Sequence, residues 1–576
     1  MRAFLAALLA ASALAQPAGD PGAYVHLTTR AWFTFDPAAA FDPVSIIATG
    51  NVYEPLITFG DVKKPDSLIP FLAAEVPTLE NGLLSADLRT YRFPVRKGVK
   101  FHDGRLLTPE DVRYSFLRFM LADEAGGPSA LLLEPILGVG STRDAKGAVS
   151  LDFKAAEAAV RVEGEEVVVR LPRPAAAFLR VVASLPIVVS RDWAVEHGEW
   201  DGSEGAWKRY NNRPPGASHL TKRMNGTGPY RLAGADGRQL TLERHDGYWR
   251  GPAVLGRVLL RVAASKAVRL QMLESGAADS SFFDARDYDD ARAVKGVKIV
   301  EAPPGGGSGE IVFFTFRTEP GSPFLGSGKL DGRGVPPDFF AQKPVREGFA
   351  FALDFEDYLR RGLAGRGRRS SGPIPPGLVL DDAPARAFDL GRAAAALKKA
   401  YGGELWNRGF TLTLAYSPSN ANRTVLAELL RVGLAKVNPR FVVKVKTLSS
   451  QALYAAAERH ELPLFIASYD ADYPDPHTFA YGLLAGSGYY PSVQRYRNTE
   501  IDRLIAVAAT MGWGPERMAA YREVTRLAAA DVPHVTTYEP VRFTAARENV
   551  RGLDSGQNVS NLARDGFPYF YAYSKR

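Results

Sequence analysis

Residues 470–479 read DADYPDPHTF and follow an apolar run, LPLFIASY, at 462–469. Asp470, Asp472 and Asp475 crowd three carboxylates into one turn, with Tyr469, Tyr473 and Phe479 supplying rings. Such a stretch admits three chemistries: a metal site, acid/base catalysis, or capture of a cation. A calcium loop counted from Asp470 needs a glycine at its sixth position and a glutamate at its twelfth; the chain has Asp475 and Tyr481 there. A glycosidase pair converges from separate elements, and nothing marks a second member. Asp475 before Pro476 reads as a turn or helix cap. Asp472 is different, because a carboxylate at a strand end beside rings is partly desolvated and needs a cationic or hydrogen-bonding partner. That partner is either an internal Arg or Lys or the ammonium of a ligand.

The elements around this turn alternate. TLTLAY (411–416), FVVKVKTL (441–448) and LPLFIASY (462–469) read as strands, separated by helices over 420–437 and 451–460, the first with Val425, Leu429, Val432 and Leu434 on its apolar face. Successive crossovers of this kind build a mainly parallel sheet. Asp472 then lies past the carboxyl end of a buried strand, where open α/β sheets place ligand crevices.

Elsewhere, TYRFPVRKGVKFHDGRLLTPEDVRYSFLRFM (90–120) reads as a strand, a His102-Asp103-Gly104 turn and a helix capped by Thr108, with Val112, Phe116, Phe119 and Met120 facing inward. The HDG triplet needs only a polar turn with a glycine at positive φ, so it is structural rather than catalytic. PPGGGSG (303–309) lacks the Gly-Lys-Ser/Thr ending of a phosphate loop and reads as a crossing between domains. The basic run RRGLAGRGRRSSG (360–372) reads as a solvated loop, and the Ala-rich GRAAAALKKAYGG (391–403) as a surface helix stopped by two glycines.

The chain opens MRAFLAALLAASALAQPAG, with one early charge at Arg2, an apolar run from Ala3 to Ala11, and small residues at Ala13 and Ala15. This is the pattern of a secretory signal cleaved after Ala15. There is no cysteine, which removes disulfides, thiolate metal sites and an acylated N-terminal Cys. A soluble, exported, unanchored periplasmic protein is expected, without cofactor or bound metal. A length of 576 residues calls for two or three domains. The net charge of +8 is interspersed along the chain, so nucleic acid is not an expected partner.

Six blocks in order resemble one family: NVYEPLITFG (51–60), YRFPVRKGVKFHDGRLLTPEDVRYS (91–115), NGTGPYRL (225–232) with ERHDGYW (243–249), PVREGFAFALDFEDYL (344–359) with GPIPPG (372–377), ADYPDPHTF (471–479) and YRNTEIDRLI (496–505). The chain is similar to the extracytoplasmic solute-binding proteins of ABC importers, in the oligopeptide and dipeptide class. The resemblance implies an α/β fold: a two-lobed clamshell of three domains, with mixed sheets and a hinge. Its pieces would be a discontinuous first lobe (16–55, 183–300 and 535–576), an accessory domain inserted in it (56–182) and a second lobe (301–534), with crossings near 300 and 535.

The resemblance also implies site residues. Asp472 would pair with a peptide's α-ammonium, and Tyr469, where many relatives carry Trp, would line the cleft beside Asp470. RAWFTFDP (30–37) matches the family's first strand, which places Trp32 on the cleft wall, and Arg459 stands near a position that would receive the far carboxylate. The implied partners are a peptide or other small-molecule ligand and a membrane permease, with the receptor itself a monomer. Two alternatives remain within the family, a neutral oligosaccharide stacked on Tyr469 and Trp32, and a metal complex. A secreted hydrolase is the rival outside it, although the chain carries no H-E-x-x-H or G-x-S-x-G pattern.

Overall fold

The computed structural model describes residues 22–61, 64–144, 146–302, 304, 306–375, 377–379, 386–553 and 568–576. The export signal expected at 1–15 lies outside the described residues.

The first lobe begins with β1 (Ala23–Thr28), and the chain then leaves its sheet for about two hundred residues. This excursion carries β2 (Thr90–Pro94), α1 (Pro109–Ala122), α2 (Ala130–Leu137), β3 (Val160–Glu163), β4 (Glu166–Arg170) and α3 (Phe178–Ala183). Strands β2, β4 and β3 form a small antiparallel sheet in that order. Helix α1 starts where its sequence says: Thr108 Oγ1 accepts from the Asp111 amide at 3.2 Å while Asp111 Oδ2 accepts from the Thr108 amide at 2.9 Å. The reciprocal cap satisfies two donors that a helix start leaves open. His102 sits in a turn, its Nε2 3.0 Å from the Gly228 carbonyl oxygen. The NGTG block lies close against Val52: a Cβ on Gly226 would stand 2.0 Å from the Val52 oxygen, so only glycine fits there.

The chain rejoins the first sheet with β5 (Tyr230–Ala235), β6 (Gln239–Arg244), β7 (Arg257–Val262), β8 (Ser280–Phe283) and, after α4 (Tyr288–Ala293), β9 (Val297–Glu301). The second lobe holds β10 (Gly307–Phe314), α5 (Lys343–Phe351), α6 (Phe355–Leu363), β11 (Gly367–Arg369), α7 (Leu390–Lys399), β12 (Phe410–Tyr416), α8 (Ala421–Val437), β13 (Phe441–Thr447), α9 (Ser450–Glu458), β14 (Leu464–Asp470), α10 (Pro476–Leu484), α11 (Pro515–Asp531) and β15 (His534–Thr536). Its sheet runs β13-β12-β14-β10-β15, with β10 antiparallel to both neighbours and the rest parallel. Both faces of the central strands β10 and β14 are covered, which is why LPLFIASY reads as a continuous apolar run, whereas β13 is mostly exposed. Val312, Phe314, Leu464 and Ile466 enter one core, and Ile311, Phe313, Phe465 and Ala467 enter the other. Such alternation follows from the two-residue period of a strand.

After β15 come β16 (Tyr538–Pro540) and β17 (Phe543–Arg547), the latter back in the first sheet, whose order is β9-β17-β8-β1-β7-β6-β5. The chain therefore passes between sheets twice, between β9 and β10 and again between β15 and β17.

Two local expectations are corrected. The first strand is Ala23–Thr28, and RAWFTFDP forms the coil after it, so Trp32 is not a strand residue. The basic run 360–372 is not a solvated loop. Arg360 and Arg361 end α6, and Gly367–Arg369 is β11, paired with β16 at the second crossing. Arg366 lies 3.5 Å over the Tyr288 ring and 2.7 Å from Asp289 Oδ1, and Arg369 lies 3.5 Å over Phe355. Flat guanidiniums pack on rings in a way that a charge count along the sequence does not show.

Candidate functional site: the turn after β14

Strand β14 delivers the acidic turn, and two anchors hold it. The Ala471 amide donates to the Gly306 carbonyl at 3.0 Å, which continues the pairing with β10. Asp475 caps α10, its Oδ1 accepting from the His477 amide at 2.9 Å with Pro476 in the first turn. Between these anchors the three carboxylates go three ways.

The exposed side chain of Asp470 pairs with Arg542, from the chain between β16 and β17. Asp475 is fully buried. Arg517 of α11, also fully buried, grips it with both terminal nitrogens, at 2.8 and 2.7 Å. Burial pushes the Asp475 carboxyl up, but the Arg517 charge and hydrogen bonds outweigh that and hold it below the usual carboxylate range. It is a structural cap, as its place before Pro476 suggested.

Asp472 is partly buried. The Tyr469 hydroxyl donates to its Oδ2 at 2.8 Å and the Thr478 hydroxyl at 3.2 Å. Burial raises its pKa to about 6; the Tyr469 and Thr478 hydrogen bonds offset part of that, and neighbouring Asp470 adds to it. At neutral pH the group is an anion held in a desolvated place. The Tyr469 ring stands edge-on to Phe479 and to Tyr490, with centroids 5.5 and 6.1 Å away. Gly482 leaves room for it, since a Cβ there would lie 2.6 Å from the Tyr469 hydroxyl.

The turn also meets the other lobe. Tyr473, two residues before the cap, packs into the large core that holds Tyr24 of β1 together with Phe93, Phe119 and Phe178 of the excursion that follows it. Arg180 of α3 reaches Asp475 Oδ2 at 3.9 Å and lies 4.1 Å over the Trp513 ring. The Ala176 amide donates to the Ala509 carbonyl at 2.7 Å. Burial raises the pKa of Glu134 of α2, and the neighbouring Tyr481 of α10 offsets part of that. The lobes therefore touch around Asp472. Sequence reading did not find Arg180, Glu134, Trp513 or Arg517. One signal existed: Arg180 interrupts the apolar run FLRVVA, and a charge inside a buried helix needs a partner.

The remaining expected residues fall elsewhere. Trp32 is partly buried, stacked on Phe35 at 5.6 Å and packed against the first-lobe core. Arg459 is exposed at the end of α9 and forks onto Glu461 at 2.8 and 3.0 Å. It precedes the amino end of β14 while Asp472 lies past the carboxyl end, about 20 Å away at roughly 3.3 Å per strand residue. The structure does not bring Arg459 to the others. Two other guanidiniums do reach the Asp472 end of the sheet: Arg542, and Arg423 of α8, which meets Glu310 Oε2 at 2.7 Å and Ser468 Oγ at 3.1 Å.

Residues 68–491 match the bacterial extracellular solute-binding proteins, family 5. The chain belongs to this family. Its relatives include the dipeptide-binding protein DppE of Bacillus subtilis, 23% identical with 90% of this chain and 87% of the relative covered. Heme-binding protein A of Haemophilus influenzae is 24% identical, with 92% and 89% covered. Among solved structures, the periplasmic binding protein DppA of Helicobacter pylori in complex with the peptide STSA superposes with a TM-score of 0.72 at 21% identity, covering 96% of this chain and 98% of that one. The Bacillus subtilis oligopeptide-binding protein AppA, in complex with a nonapeptide, superposes at 0.68 and 19% identity, covering 96% and 99%. These likenesses show the family's two-lobed α/β clamshell, the architecture expected from the sequence. No helix among the described residues is long and apolar enough to cross a membrane.

Proposed function

We propose that this protein is a receptor, not an enzyme, which captures peptides between its lobes and delivers them to the permease of an ABC importer. Asp472 carries the reading: a desolvated carboxylate past the carboxyl end of β14, oriented by the Tyr469 hydroxyl, at the place where the lobes meet. It suits a peptide's α-ammonium, with Tyr469 as the neighbouring wall and Trp32 a candidate contact on the first lobe. Relatives named as dipeptide- or oligopeptide-binding, and two solved with a bound peptide, support the same ligand class.

Calorimetry over four combinations tests it: unaltered protein and Asp472→Asn, each with a free-amino peptide and its N-acetylated form. Removing one partner of a buried charge pair costs about 2–5 kcal/mol. Affinity should then fall roughly thirty-fold to several thousand-fold for either single change. Groups in direct contact make the double loss smaller than the sum. Full additivity, or an Asp472→Asn protein that binds normally, rejects the assignment.

The relative named for heme binding favours a second reading. Protein purified with a visible absorption band, and indifferent to peptides, would replace the peptide reading with that one.

A further inference from the structure

The parts of the chain that carry the two large sheets touch on both sides of the crossings. On one side, Tyr473 enters the core around Tyr24 and Phe178, the Ala176 amide meets the Ala509 carbonyl, and Arg180 lies over Trp513. On the other, Ala285 enters a core of the five-stranded sheet, residues 285–287 pack against α6, and Arg366 lies on Tyr288. These are opposite faces of both sheets. In the seven-stranded sheet Tyr24, Leu242 and Leu260 join the core that Tyr473 enters, whereas Val25, Leu27 and Leu259 join the core that holds Ala291 of α4. In the five-stranded sheet Phe313 and Phe465 share a core with Phe479 of α10, and Phe314 and Ile466 share one with Phe355 of α6. The crossing segments, before β10 and after β15, run between the two sets of contacts. A rotation about them that parts the Asp472 side presses the α4 side together.

The α4 side has no slack. The Arg366 guanidinium carbon stands 3.5 Å from the centre of the Tyr288 ring, which is van der Waals contact. Behind that ring stands Phe543, edge-on with centroids 5.0 Å apart and buried in the core of the seven-stranded sheet. Behind Arg366 the backbone is held as well: its amide donates to the Leu363 carbonyl at 2.9 Å, its carbonyl accepts from the Val541 amide at 3.2 Å, and β11, paired with β16, begins at the next residue. Arg366 Nη2 reaches Asp289 Oδ1 at 2.7 Å, but the Asp289 side chain is 75% exposed, and exposed pairs contribute little. The guanidinium is therefore placed by the ring more than by the charge.

We propose that Arg366, stacked on Tyr288, is a stop that limits how far the lobes part in the ligand-free protein, a device that rests on the receptor reading above. Opening past this contact requires the guanidinium to leave the ring, because a ring backed by a packed core and a side chain rooted in a hydrogen-bonded strand start cannot be compressed. The consequence for binding is one of populations. A ligand that favours the closed form binds more weakly in proportion to the share of protein that is open, so a stop that restrains opening strengthens binding without touching the ligand.

Small-angle scattering of the ligand-free protein tests the stop without any ligand, and a melting curve confirms that each variant is folded. Arg366→Ala should open wider and raise the radius of gyration. Arg366→Met refills the space over the ring without a charge, so it should keep the unaltered radius, as should Asp289→Asn. In calorimetry with trialanine, Arg366→Ala should bind about threefold or more weakly than the unaltered protein, the scale of one lost cation–ring contact. An unchanged radius in folded Arg366→Ala, or Arg366→Met or Asp289→Asn opening as widely as Arg366→Ala, overturns the stop. A wider Arg366→Ala beside an unaltered protein that takes up no heat from peptides keeps the stop and counts against the peptide reading instead.

Discussion

Asp475→Asn should destabilise the second lobe severely, although it changes one atom. Asp475 and Arg517 have no solvent exposure and share two short hydrogen bonds, and the Arg180 guanidinium adds a second positive charge 3.9 Å away. Asparagine remains a good helix cap, so the bond from the His477 amide survives. What is lost is the charge. One oxygen of the fork becomes an NH2 group facing an N–H donor, and a buried guanidinium is left without its counterion. Breaking a buried pair in this way costs about 3–5 kcal/mol. Asp475→Ala also removes the cap and should lose roughly 0.5–2 kcal/mol more. Urea unfolding followed by circular dichroism measures both variants at pH 7. Adding Arg517→Met to Asp475→Asn should recover part of the loss, because the stranded charge goes with it. A loss below about 1 kcal/mol for Asp475→Asn, or a double variant no better than the single, would show that the pair is not what holds α10 to α11.

Other measurements test the cleft. Because burial raises the Asp472 pKa to about 6, the ligand-free protein should lose stability as pH rises from the ordinary carboxylate range through 6, while affinity for an ammonium ligand grows over the same window. Asp472→Asn should flatten both profiles in paired melting and calorimetric series. Gly482→Ala puts a methyl 2.6 Å from the Tyr469 hydroxyl, so it should cost about 1–3 kcal/mol in a melting assay and weaken ligand binding by displacing the ring that orients Asp472. Arg180→Gln removes a contact between α3 and the second lobe and should enlarge the radius of gyration of the ligand-free protein in small-angle scattering; an unchanged radius would make Arg180 irrelevant to closure.

What the sequence determined by itself was local and periodic. The cap at Thr108 and Asp111 is visible because both partners lie within four residues, the strand at 410–416 because Thr alternates with apolar residues, and that at 464–470 because two covered faces demand a continuous apolar run. The position of Asp472 was legible for the same reason: strand, turn and capped helix are contiguous, so its place past the strand's carboxyl end follows from chain order. Tertiary structure alone decided which carboxylate meets which cation. Arg542 reaches Asp470 across 72 residues, Arg517 reaches Asp475 across 42, and Arg180 arrives from α3 in the excursion between β1 and β5. An arginine looks the same in a sequence whether it is solvated, ion-paired or stacked on a ring. For that reason the run 360–372 read as a loop, whereas folding makes it a helix end and a strand at the second crossing. The physical reason is one of range: helix and strand periods act within a few residues, while a buried charge is satisfied by whichever partner the folded topology brings within a few ångströms.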